Sequence, residues 1–228
     1  MERSKKLRGA QSAGGERSPA KKRSSRAARS GGAPRPHETG SEALGPDAWV
    51  AAGWEALAHS GVEGVRVEPL AARLGVTKGS FYWHFRDRAA LLSAILAAWE
   101  ARETSDVITR VDASSDSPAT RLMELLRRTA ASPGAAPDVE PAIRAWGTRD
   151  PDVERRLADI DRRRERYVED LLVAAGVARP KAKHRARVLY LALIGDHTRV
   201  AHGGRPTSRA TWTELVSRMV ASDTSRPV

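Results

Sequence analysis

No cysteine occurs among the 228 residues, which excludes disulfides and thiolate metal sites. That absence fits a reducing compartment, and we expect a cytoplasmic protein. No apolar run approaches the roughly 18–20 residues that a bilayer span requires, so no membrane partner is expected. The N-terminus carries charge without an apolar core, unlike a secretory signal. No stretch alternates with period two, so no sheet is expected, and no internal repeat is present. Catalytic motifs are missing as well. Histidines 37, 59, 84, 184, 197 and 202 form no H-E-x-x-H pattern, and His197 and His202 lie five apart, off a common helix face. There is no G-x-S-x-G elbow, P-loop or dinucleotide fingerprint. We therefore expect no enzyme, no catalytic residue, no metal and no cofactor.

Positive charge is abundant but uneven. The chain has net charge +11, and residues 1–40 alone hold eleven Lys and Arg against three Asp and Glu. This segment has one leucine, Leu7, and cannot bury enough apolar surface to offset the entropy of ordering. It reads as a disordered basic tail able to add sequence-independent phosphate contacts. From Ser41 to Glu103 the balance reverses, with six basic and eight acidic residues. Attraction of nucleic acid by that stretch must depend on where its few cations sit.

From Pro46 onward the pattern is helical. A first helix over 47–59 places Trp49, Ala52, Gly53, Ala56 and Leu57 on one face. Leu70 to Phe85, LAARLGVTKGSFYWHF, then reads as two short helices around a turn. Gly75 stands where the first must stop, and Thr77 is expected to cap the second with its hydroxyl. Asp87 caps a fourth helix that carries Leu91, Leu92, Ile95, Leu96 and Trp99 inward and continues past Glu103. Prolines at 118, 141, 151, 180 and 206 mark further starts. The helices they introduce span 118–131, 140–147, 151–175, 181–202 and 208–221. In the longest, Val153, Leu157, Ile160, Tyr167, Val168, Leu171 and Leu172 form the inward stripe. Arg162, Arg163 and Arg164 read as a solvated surface. The fold class is all-α.

WVAAGWEALAHSG, LAARLGVTKGSFYWHF and RDRAALLSAI, with their spacing, resemble the DNA-binding domain of the TetR/AcrR-type transcriptional regulators. The resemblance implies an N-terminal three-helix helix-turn-helix domain over 41–102, after the tail of 1–40. A helical ligand-binding and dimerisation domain over 103–228 is implied to follow. It further implies that Thr77, Lys78, Gly79 and Ser80 meet base edges, while Tyr82, His84 and Arg88 meet phosphates. Trp83 would lie against the sugar-phosphate edge or on the protein surface. Arg66 stands where the family often has a threonine; it can reach a phosphate but cannot cap a helix.

The implied partners are double-stranded DNA bearing a palindromic operator, a second copy of the chain, and an unidentified small-molecule effector. Such a pocket would draw on Trp99, Met123, Leu126, Trp146, Tyr167 and His197. Val188, Leu191 and Gly195, with Trp212, Leu215 and Met219, are the candidates for a homodimer interface. A repressor released by its ligand is the expected function. The other open reading is a nonspecific architectural DNA-binding protein driven by the basic tail.

Overall fold

The computed structural model describes residues 44–130 and 138–221, and among them every regular element is helical. The tail of residues 1–40 lies outside the described residues. Helix α1 (Pro46–Ser60) opens on a proline, whose missing N–H costs nothing at a helix start, and buries Trp49, Ala52, Gly53 and Leu57. A 3₁₀ turn (Val62–Gly64) leads into α2 (Val67–Leu74) and α3 (Lys78–His84). Between these two helices Gly75 takes a left-handed conformation (φ 69°), where a side chain would be strained. The N–H groups of Val76 and Gly75 return to the carbonyls of Ala71 and Ala72 at 3.0 and 3.2 Å, closing α2 with a Schellman motif.

α4 (Arg88–Glu100) starts at Asp87, whose carboxylate accepts from the Ala90 N–H at 2.8 Å. Its five expected apolar residues are all buried. α4 does not run on as a regular helix past Glu100. Residues Ala101–Ser105 form a π turn, and α5 (Asp106–Asp112) then continues the rod. The remaining elements are α6 (Pro118–Thr129), α7 (Glu140–Gly147), α8 (Pro151–Ala174), α9 (Arg179–Ala201) and α10 (Arg209–Val220). Their starts fall at or within two residues of those expected from the sequence.

Two apolar cores result. The first surrounds Trp49, Phe81, Leu91, Ile95 and Trp99, and takes in Ile143 and Trp146 of α7 and Leu157 and Ile160 of α8. Phe81 meets Trp49 edge-on at 5.2 Å and stacks on Phe85 at 5.5 Å, so α3 is anchored by its inner face. The second core joins Val107, Leu122, Leu126, Val168, Leu172, Leu189 and Trp212. α8 lies along α9, and α8 supplies residues to both cores. No described helix is long and apolar enough to cross a membrane.

Candidate nucleic-acid interface and inner cavity

Because Phe81 and Phe85 point inward, α3 turns Lys78, Gly79, Tyr82, Trp83 and His84 outward, and all five are exposed. Trp83 is 88% exposed, an unusual position for an indole with nothing to cover. Tyr82 is half exposed and stands edge-on to Phe81 at 5.2 Å, which fixes its ring while leaving its hydroxyl end outward. A Cβ placed on Gly79 would meet nothing nearer than the Thr77 hydroxyl at 3.5 Å. The fold therefore does not require glycine there. Its small size matters only to something approaching from outside.

Thr77 occupies the N-cap position, but its hydroxyl makes no capping bond, contrary to expectation. The Ser80 N–H donates instead to the Thr77 carbonyl at 3.0 Å, a tight i→i+3 turn that meets the same need. Lys78 is ion-paired with Glu68 of α2, and both side chains are at least half exposed. Their hydrogen bond holds the Glu68 carboxyl below the usual carboxylate range and raises Lys78. An exposed pair of this kind contributes little stability, so an arriving acceptor can take the ammonium.

Arg66 lies extended at the start of α2, exposed, without a capping bond. Arg88 is placed otherwise than expected. Its Nε donates to the Val65 carbonyl at 2.6 Å and its Nη2 to the Val62 carbonyl. The guanidinium thus holds the turn before α2.

A cavity of about 740 Å³ lies elsewhere in the chain, lined by no residue of α2 or α3. It reaches from Trp54 and Ala58 of α1, past residues 102–104 of the π turn, to α6, α8 and α9. Of the six residues expected to line a pocket, Leu126, Tyr167 and His197 do so. Trp99 and Trp146 are buried in the first core instead, and Met123 borders a second cavity of about 580 Å³. Each exclusion has a reason. Trp99 is covered by the Arg164 guanidinium at 4.9 Å, and the Trp146 indole N–H donates to Asp150 at 3.2 Å.

Arg164 was not foreseen here. Its side chain is only 14% exposed, whereas Arg162 and Arg163 are exposed, because the 100° step of a helix puts residue 164 in line with Leu157, Ile160, Val168 and Leu171. Its guanidinium donates to Thr104 Oγ1 at 2.8 Å, to the Glu103 carbonyl at 3.2 Å, and to both Glu140 oxygens at 3.1 Å. It therefore ties the π turn to α7. Arg144 adjoins the same cluster, bonding Glu140, Asp161 and the Tyr190 hydroxyl.

His197 stands between two obligate acceptors, the Asp138 carboxylate at Nδ1 and the Thr129 carbonyl at Nε2, the latter at 2.6 Å. Only the imidazolium can donate to both at once. Burial opposes the charge, but the Asp138 hydrogen bond and charge, the Thr129 bond and Glu140 outweigh it and raise the pKa. A raised folded-state pKa contributes stability that is fully present below the unfolded value of about 6.5 and is lost as pH rises through the folded value. We expect the melting temperature of the wild type to fall relative to His197→Gln as pH is raised from 6 to 9. Parallel melting curves across that range would contradict the assignment.

Val188, Leu191 and Gly195 are exposed on one stripe of α9, spaced by three and four, with the first two 50% and 57% exposed. Leu215 and Met219 are half buried against the second core. Trp212 is 5% exposed, buried within the chain beside α6, so Thr213, Glu214 and Ser217 form the open side of α10.

The architecture is that of a helix-turn-helix protein: a short second helix stands proud of a small core, backed by a larger helical region. The family model described as "Bacterial regulatory proteins, tetR family" matches residues 50–95. Residues 50–95 thus resemble the DNA-binding domain of that family. The tetracycline repressor protein class A from transposon 1721 of Escherichia coli is 38% identical over 69 residues, 30% of this chain and 32% of that protein. The chain thus matches about a third of that repressor's length.

Solved structures extend the likeness in fold. A TetR transcription regulator from Haloarcula marismortui superposes with a TM-score of 0.64 at 20% identity, covering 77% of this chain and 95% of that one. AibR, solved with isovaleryl coenzyme A and operator DNA, gives a TM-score of 0.55 at 20% identity over 77% and 95% of the two chains.

Proposed function

We propose that this protein is a sequence-specific DNA-binding transcriptional regulator, a dimeric repressor released from a palindromic operator by a small molecule. The single observation that carries the reading is the outer face of α3. Five residues suited to DNA are exposed on a helix whose opposite side is locked into a core. Such a helix enters the major groove with its N-terminal residues at the base edges. Lys78 donates to a base acceptor, and Thr77, Gly79 and Ser80 allow close approach. Tyr82, His84 and Arg66 donate to phosphates, and Trp83 covers the sugar-phosphate edge. Arg88 holds the turn that positions α2.

Dimerisation follows from the need for two readers about one helical turn of DNA apart, or a multiple of it. The apolar stripe Val188–Leu191–Gly195 supports α9 as the contact, with Leu215 and Met219 at its margin. The cavity supports an effector site because its wall includes α1 and the rod that continues α4. An occupant that favours one arrangement of these elements shifts the readers out of register with the half-sites. A cytoplasmic, non-catalytic protein with the boundaries 1–40, 41–102 and 103–228 belongs to the same reading. The curated repressor and the operator-bound AibR support repression and ligand release by likeness.

The architectural reading is not favoured, since a tail-driven binder has no use for a built recognition face. Deleting residues 1–40 separates the two. We expect the shortened protein to keep its preference for one sequence over random DNA, at lower affinity and with a shallower dependence on salt. Complete loss of preference on deletion would overturn the proposal.

A further inference from the structure

We propose that the inner cavity takes an uncharged, mainly apolar molecule and discriminates against ionised ones. This deepens the reading of the cavity as the effector site and rests on it. Its body is apolar, with Val107, Leu122, Leu126, Leu189, Leu193 and Ile194 contributed by three helices. At about 740 Å³ it matches the size of sites for drug-sized ligands.

The polar part of the wall is what narrows the chemistry. Every described ionic side chain in it already has an opposite partner within the chain. Arg164 holds Glu140 at 3.1 Å, Arg102 holds Glu103 at 3.1 Å, and Arg128 holds Glu124 at 2.7 Å. His197 holds Asp138. Of the hydroxyls on lining residues, Thr104 accepts from Arg164 at 2.8 Å, and three others donate within the chain. Tyr167 donates to Asp112 at 2.8 Å, Tyr190 to Asp161 at 2.6 Å, and Thr129 to the Leu125 carbonyl at 2.8 Å.

Arg102–Glu103 is largely exposed, but an ionised ligand reaching the inner wall would have to break Arg164–Glu140 or His197–Asp138 or remain unpaired, and both are costly away from water. A neutral ligand breaks none. Burial also pushes the Glu103 carboxyl upward against the pull of Arg102, which favours a wall without free charge.

The test uses three probes on one skeleton: decan-1-ol, decanoate and decylammonium, titrated calorimetrically into the full chain at pH 7.5 without DNA. Decan-1-ol should bind at least about ten times more tightly than either ion. Filling the cavity with Leu193→Trp, or with Ile194→Phe as a second variant, should remove that binding while leaving helical content unchanged. Equal or tighter binding of either ion would overturn the proposal. So would the absence of decan-1-ol binding up to its solubility limit, or its persistence in both filled variants. Operator affinity measured with decan-1-ol present is a separate readout. A ligand that binds but leaves operator affinity unchanged refutes the effector reading and leaves the ligand class standing.

Discussion

We expect Lys78→Glu to abolish specific DNA binding while leaving the helical fold intact. Lys78 is the cation at the start of α3, exposed and held only by Glu68 across the turn. The whole stretch from Ser41 to Glu103 has more acidic than basic residues, so no surplus of charge nearby compensates for its loss. A good contact to a base is worth roughly ten- to a hundredfold in affinity, and a dimer loses two of them. Reversal also places a carboxylate beside Glu68 and facing phosphates. A loss on the order of a thousandfold or more is therefore expected in a gel-shift titration. Circular dichroism should be unchanged, since the Lys78–Glu68 pair is exposed and contributes little to stability. A variant that protects the same DNA at the same concentration would remove Lys78 from the interface.

The second large effect lies far from the DNA face. Arg164→Met should lower the melting temperature by about 6–12 °C, taking roughly 2–4 °C per kcal/mol for a chain of this size. The basis is a loss of about 3 kcal/mol, the lower end for removing one partner from a buried ion pair. The side chain is 14% exposed and Glu140 is 9% exposed, so water replaces little of what is removed. Methionine keeps the packing length but abandons the Glu103 carbonyl, Thr104 and Glu140 together. Arg164→Lys restores a charge to Glu140 without the fork that spans all three, and should recover only part of the loss. Unchanged melting in Arg164→Met would mean that Arg144 alone suffices for Glu140 and that the π turn needs no support from α8.

These two residues show what a single sequence makes legible. The outward residues of α3 were legible through the family resemblance, and the structure gives the local reason for their exposure: two phenylalanines four apart fix the inside and leave Lys78, Tyr82 and Trp83 outside. Many helix starts were legible for a local reason: α1 and α6 to α9 carry a proline in the first turn, and Asp87 and Ser208 cap α4 and α10. Arg164 was hidden by its neighbours, since three consecutive arginines suggest water. The helical period carried the correction, because residue 164 continues the stripe of Leu157, Ile160 and Val168. Arg88 was misplaced for a different reason. Its partners, the carbonyls of Val62 and Val65, depend on a turn more than twenty residues earlier. The cavity was half legible. Leu126, Tyr167 and His197 face it, but its wall is assembled from α1, α5, α6, α8 and α9, and no local pattern announces such a meeting. Trp99 and Trp146 are large enough for a pocket, and cores claim large side chains first.

The most direct test is selection of bound duplexes from sheared genomic DNA by the full-length protein, followed by sequencing. One enriched inverted repeat is expected, with half-sites about one helical turn or a multiple apart, that Lys78→Glu fails to enrich. Enrichment with no shared sequence, or an identical pattern from Lys78→Glu, would contradict it.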